Sequence, residues 1–141
     1  MVRIKLDLGQ MRQIALFEKI THIQPRDCFE DELTKQLCFI VPPDTISRAI
    51  GKSGANAKKL ESLFKKKIRI VEYSEELCEF IQNLLYPLKL TNAEITAEGG
   101  VLLEAKDHAT RGYIIGRAAQ NLRNLEKNVR RFFEVKEIKV V

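Results

Sequence analysis

At 141 residues, 45% of them hydrophobic and 30% charged, the chain has room for one ordinary domain or two of about 70 residues, and it is too apolar for bulk disorder. No apolar run approaches the roughly 20 residues that span a bilayer, and Met1 to Asp7 is too short and too charged for a secretory signal, so a cytoplasmic location is expected. The net charge of +5 is unevenly spread: residues 51–70 carry +6, residues 111–131 carry +5, and the remainder carries −6.

In chain order, Asp7 to Thr21 predicts a helix with Met11, Ile14, Ala15 and Phe17 on one side. Asp27 to Lys35 is polar and poorly periodic, so the first hairpin is faint. Cys38-Phe39-Ile40-Val41 then predicts a short apolar strand stopped by Pro42-Pro43. A short helix leads into Gly51-Lys52-Ser53-Gly54, followed by a second helix with Leu60, Leu63 and Phe64 inward and the strand Ile68 to Val71.

The order then restarts. Ser74 is placed to cap a helix that begins with Glu75-Glu76 and buries Leu77, Phe80, Ile81, Leu84 and Leu85, with Pro87 closing the segment. Ala93 to Glu98 and Val101 to Ala105 flank Gly99-Gly100 and predict a hairpin. A second glycine-centred helix pair follows, with Leu122, Leu125 and Val129 inward, and a last strand is expected from Val135 to Val141. Each half is thus helix, two strands, two helices, strand. The fold class is α+β, in two domains covering residues 1–73 and 74–141. No Gly/Ser- or Pro-rich linker separates them.

The halves are an internal repeat. A shift of 65 residues lays Ile115-Gly116 on Ile50-Gly51, Thr110 on Thr45, Asn121 on Asn56, and Leu125-Glu126 on Leu60-Glu61. It also matches Lys52, Lys58, Lys65 and Lys66 in charge with Arg117, Arg123, Arg130 and Arg131. Basic charge gathered at two equivalent places is the footprint of a polyanion binder; two solvated helix faces are the alternative.

No catalytic or metal-binding constellation can be assembled. Gly51-Lys52-Ser53 resembles the tail of a Walker A loop, but Ile46 stands where that motif requires glycine. His22 and His108 have no Cys or second His at ligand spacing, and His108, beside Asp107, sits near a helix start where capping or surface roles suffice. Cys28, Cys38 and Cys78 are odd in number and far apart, which suits core positions in a reducing compartment. No enzyme activity, cofactor, metal, membrane or small-molecule substrate is expected.

The glycine-centred loop carries the chemistry. Glycine lets a phosphate approach the backbone without meeting a Cβ, and the free N–H groups at the following helix start face an anion. Lys52 adds a mobile charge and Ser53 a hydroxyl donor. A plain turn gives the same letters, but the Ile before the loop, the basic helix after it and the second copy add specificity.

Ile50-Gly51-Lys52-Ser53-Gly54-Ala55-Asn56 resembles the KH signature, whose loop clamps the backbone of about four nucleotides. The final strand in each half resembles the type II arrangement. Together with Ile114 to Leu122, which contains Gly116-Arg117-Ala118-Ala119-Gln120-Asn121, the pair is similar to the tandem KH domains of the NusA family of transcription factors. The resemblance covers nearly the whole chain, and the length suggests the short archaeal form without further domains.

What the resemblance implies is single-stranded RNA binding in transcription elongation, termination or antitermination, with RNA polymerase as a possible partner. A ribosome-associated or RNA-processing role, or protein docking onto the polymerase, are the alternatives. The implied RNA-binding residues are Ile50, Gly51, Lys52, Ser53, Gly54, Asn56, Lys58 and Lys59, and in the second copy Ile115, Gly116, Arg117, Ala118, Asn121 and Arg123. Ile50, Ile68, Ile70 and Ile115 could support bases or simply fill the core. Asn56 and Asn121 could donate to RNA or hydrogen-bond their own helix start. Ala119 departs from the pattern, and weaker binding by the second copy is expected.

Overall fold

The computed structural model describes residues 4–141; Met1 to Arg3, part of the segment judged too charged for a leader, lie outside the described residues. The chain divides into two units, Lys5–Ser74 and Glu75–Val141.

The first unit opens with α1 (Leu8–Thr21), where Asp7 forms a capping box with Gln10: Gln10 N donates to Asp7 Oδ1 at 2.7 Å and Asp7 N to Gln10 Oε1 at 2.9 Å. Its buried stripe differs from the expected one. Phe17 and Thr21 are buried and Ile14 and Ile20 pack on the core, while Met11 and Ala15 face solvent. The face centres elsewhere because two glutamines occupy core-side positions: Gln10 Nε2 donates to the Cys28 carbonyl at 2.7 Å and Cys28 Sγ lies 3.3 Å from Gln13 Oε1.

Strand β1 (Asp27–Glu30) pairs antiparallel with β2 (Leu37–Val41), and β2 pairs parallel with β3 (Ile68–Glu72). The polar segment that obscures the first hairpin is turn chemistry: the Asp31 side chain accepts from Leu33 N and Thr34 N, both at 2.9 Å. Helices α2 (Ile46–Ile50) and α3 (Ala55–Phe64) cover the sheet. Phe17 stacks on Phe39 with centroids 4.3 Å apart, and Ala49 and Leu60 complete the core. Leu63, expected inward, is exposed; only Leu60 and Phe64 of that trio reach the core.

The second unit repeats the order: α4 (Leu77–Leu85), β4 (Leu90–Ile95), β5 (Val101–Ala105), α5 (His108–Ile115), α6 (Gln120–Val129) and β6 (Ile138–Val140). Again the first pair is antiparallel and the second parallel, giving sheet order β4-β5-β6. Its core joins Ile81, Leu103, Ile114, Leu122, Leu125, Val129 and Ile138, with Phe80 edge-on to Phe132. The two mixed three-stranded sheets covered by helices are KH-like domains of an α+β protein.

Three local expectations are corrected here. Ser74 does not cap α4: the helix starts at Leu77, with Glu76 at the cap position making no side-chain capping bond. The hairpin strand begins at Leu90 and ends at Ile95, because Thr96 closes a loop through Gly100 by accepting from Gly100 N at Oγ1 (3.0 Å) and donating its own N–H to the Gly100 carbonyl (2.9 Å). The last strand is three residues, not seven. Arg130 draws the preceding chain away by donating to the carbonyls of Val135 and Lys136. Asp107 caps α5, accepting from Thr110 N at 2.7 Å, and that bond holds its carboxyl below the ordinary range.

Among the described residues no helix is long and apolar enough to cross a membrane. Cys28 and Cys38 are buried, Cys78 is half-buried, and all three are free thiols.

Candidate nucleic-acid interface

Each unit presents one turn between two helices, and the two turns share a backbone conformation. In the first, Gly51 has φ 82° and ψ 168°, Ser53 φ 55° and ψ 29°, and Gly54 φ 73° and ψ 19°. In the second, Gly116 has φ 74° and ψ 178°, Ala118 φ 53° and ψ 31°, and Ala119 φ 59° and ψ 22°.

These angles explain which glycines the repeat keeps. Positive φ with ψ near 180° is essentially restricted to glycine, so Gly51 and Gly116 are required. The position of Gly54 and Ala119 is left-handed helical, where a side chain costs of order 1–2 kcal/mol but is tolerated. A Cβ on Gly54 would meet no atom within 4 Å, so packing does not forbid it. The open direction is where a ligand would come, and there the Ala119 methyl stands.

A second reason for the first glycine is the asparagine behind it. Asn56 Nδ2 donates to the Arg48 carbonyl at 3.1 Å, and Asn121 Nδ2 donates to the Tyr113 carbonyl at 2.9 Å. A Cβ on Gly51 would lie 3.0 Å from the Asn56 side chain, and one on Gly116 only 2.5 Å from Asn121 Cγ. Each asparagine therefore fastens the helix before the turn to the helix after it, a role between the two considered from sequence.

Lys52, Ser53, Arg117 and Ala118 are exposed at the turn tips. Neither α3 nor α6 has a side-chain cap at its start. Ala55 N and Gln120 N donate back to the Lys52 and Arg117 carbonyls, and the positive dipole ends of the two helices, with their remaining first-turn N–H groups, face the turn.

The cations of the two units are used differently. Lys58 and Lys59 on α3 are exposed and form no ion pair among the described residues. Lys66 pairs with Glu30 at 2.9 Å, which lowers the Glu30 carboxyl. In the second unit Arg123 is bound to Glu126, 2.6 Å from NH1 to Oε1, and this hydrogen bond raises the guanidinium further. Glu126 is buried and also accepts from Ile138 N at 2.7 Å. Arg111 donates to the Val140 carbonyl at 3.3 Å, and Arg130 is occupied as described. Arg117 is exposed at the second turn and forms no ion pair among the described residues.

Ile50 is about one-third exposed at the end of α2, whereas Ile68 and Ile70 are half-buried against the first core and Ile115 against the second. Sequence reasoning passed over Tyr113, 69% exposed one helical turn before Gly116. Its signal was an aromatic residue within an acid-free basic stretch.

Two KH-like domains, each with a glycine turn and a basic second helix, define the class of protein. No family model matches the chain. It is 35% identical over 142 residues to "Probable transcription termination protein NusA" of Methanococcus vannielii, covering 99% of this chain and 81% of that protein. The similarly named protein of Methanocaldococcus jannaschii is 30% identical over 143 residues, covering 100% and 77%, and that of Halococcus morrhuae 29% over 140 residues, covering 99% of each. The crystal structure of a protein called APE1850 superposes with a TM-score of 0.79 at 27% identity, over 96% of this chain and all of that one. The chain belongs to the NusA family of transcription termination proteins, in its short archaeal form.

Proposed function

We propose that this chain binds single-stranded RNA through both turns and acts, without enzymatic chemistry, as a factor in transcription elongation and termination, in the cytoplasm and in contact with RNA polymerase. The observation that carries this reading is the turn of the first module. Gly51 to Gly54 sets a helix start without a side-chain cap beside Lys52, with Lys58 and Lys59 exposed along the same helix and in no ion pair among the described residues. A phosphate backbone supplies the charge complementary to all of these groups. The proposed RNA contacts are Gly51 to Gly54, Lys58 and Lys59, with Gly116, Arg117 and Ala118 as the weaker second set. Ile50 and Ile115 lie where bases would rest.

The test is binding of the full chain to single-stranded RNA, duplex RNA and single-stranded DNA, repeated with Lys52→Asp/Ser53→Asp. Aspartate tolerates the left-handed backbone of Ser53, so the fold should persist by circular dichroism. Preference for single-stranded RNA, nearly abolished by the double variant, is expected. Greater damage from Arg117→Asp/Ala118→Asp would reverse the ranking of the modules, and unchanged binding in both variants would remove the turns from the interface.

A further inference from the structure

We infer that Tyr113 is a stacking platform for a nucleobase, making the second module a base-stacking site where the first is a phosphate clamp. The inference rests on the single-stranded RNA reading above and deepens it.

Tyr73, Tyr86 and Tyr113 are the chain's tyrosines. Tyr73 is buried, whereas Tyr86 and Tyr113 are 74% and 69% exposed. Single exposed aromatics are ordinary on protein surfaces, so exposure alone decides nothing. Position distinguishes Tyr113. It lies in the last turn of α5, three residues before Gly116, whose positive φ ends the helix and opens the turn. Its carbonyl is the acceptor for Asn121, so its backbone is fastened directly to the turn.

Space beside it is also provided. Gly112 lies inside α5 although its backbone does not need glycine, and a Cβ there would meet no atom within 4 Å. Glycine in a helix interior costs roughly 0.5–1 kcal/mol relative to alanine, and no packing accounts for it here. Its effect is to leave the surface next to the Tyr113 backbone without a side chain.

The electrostatic setting suits a nucleotide. Arg111, Arg117 and Arg123 punctuate the stretch from His108 to Leu125; Arg123 faces Glu126 and Arg111 the Val140 carbonyl, so Arg117 is the cation that a phosphate beside Tyr113 would meet. Aromatic rings interleaved with cations hold single strands because every base has a face to stack and every phosphate a charge to meet. In the aligned position the first module has Arg48, and Ser47 replaces Gly112. The two modules therefore offer different partners to the base beside their turns.

The chain contains no tryptophan, so Tyr113→Trp creates a single fluorescent reporter, and Tyr86→Trp a control elsewhere in the same unit. Both variants are titrated with a single-stranded RNA oligomer while fluorescence anisotropy of a labelled copy reports binding independently. Quenching of the indole in step with binding is expected in Tyr113→Trp, and none in Tyr86→Trp. Tyr113→Phe should bind within about twofold of the wild type, and Tyr113→Ala about tenfold more weakly, the low end of one base stack. Binding by Tyr113→Trp without quenching of its indole, or wild-type affinity in Tyr113→Ala, would overturn the stacking site and leave the RNA reading intact. Absence of binding by the wild-type chain would overturn both.

Discussion

Asn121 holds the Tyr113 carbonyl from the far side of the second turn, and Asn56 holds the Arg48 carbonyl in the same way 65 residues earlier. The bond crosses eight residues and joins two helices whose connecting turn has four residues, three of them with positive φ. Its loss should widen the conformations of the turn more than it lowers global stability. We expect Asn56→Ala to unfold within about 1 kcal/mol of the wild type, an ordinary hydrogen bond, but to bind RNA several-fold more weakly. Asn56→Asp should be worse, since a carboxylate cannot donate to Arg48 and repels phosphate. Urea midpoints by circular dichroism and affinities on the same samples check this; equal affinity for all three proteins would show that the turn holds its shape unaided.

Ala119 offers a change expected to improve binding. With φ 59° it carries the left-handed strain that glycine avoids, and its methyl occupies the open side of the turn. Ala119→Gly relieves that strain but loosens the unfolded chain, two effects of about 1 kcal/mol and opposite sign. Stability should therefore stay within about 1 kcal/mol, while RNA affinity rises. The reverse change, Gly54→Ala, should lower affinity at a similarly small cost in stability. If Gly54→Ala binds as well as the wild type, no phosphate approaches that Cα.

Glu126 shows how the modules have diverged. Buried at the middle of α6, it satisfies Ile138 N at the start of β6 and holds Arg123. Removing it leaves a buried N–H without its partner, which costs about 1–3 kcal/mol. Glu126→Ala should lower the stability of the second unit by that amount, read from its urea midpoint, and Glu126→Gln by less, because an amide oxygen still accepts. The aligned Glu61 is only half-buried, so Glu61→Ala should be nearly neutral. Hydrogen exchange at Ile138 provides the local readout; protection unchanged in Glu126→Ala would mean that another acceptor replaces the carboxylate.

How much of this was legible in the sequence depended on whether the determining physics is local. The turns were legible because Gly51 and Gly116 answer a backbone demand that no neighbour alters. The stripes Phe80-Ile81 and Leu122-Leu125-Val129 were legible because apolar residues recur there at helical spacing; the buried Glu126 within the second was not, because its partner Ile138 N lies twelve residues on. The α1 stripe was not, because Gln10 and Gln13 sit where apolar residues were sought and bond to Cys28 eighteen and fifteen residues away. The last strand was overextended because Val135 looks like strand and is buried, but the carbonyls of Val135 and Lys136 go to the Arg130 side chain. The asparagines could be recognised as important but not assigned, since their acceptor lies across the turn in space.

The same divergence should appear in the salt dependence of RNA binding. On a single strand each phosphate neutralised contributes about −0.7 to the slope of log K against log salt. Lys58 and Lys59 are exposed and unpaired among the described residues, so each can exchange counterions for phosphate. Arg123 is aligned with Lys58, yet its charge already faces Glu126 at 2.6 Å. A phosphate reaching Arg123 must compete with a carboxylate that is fixed by its second bond to Ile138. Affinity measured over a range of salt should therefore show a slope shallower by about 0.7 for Lys58→Ala or Lys59→Ala. Arg123→Ala should move the slope much less, and Lys58→Ala/Lys59→Ala should combine additively if each lysine meets its own phosphate. Equal slope changes for Lys58→Ala and Arg123→Ala would mean that RNA displaces Glu126, making the ion pair a latch that opens on binding. No change for either lysine would place α3 away from the RNA.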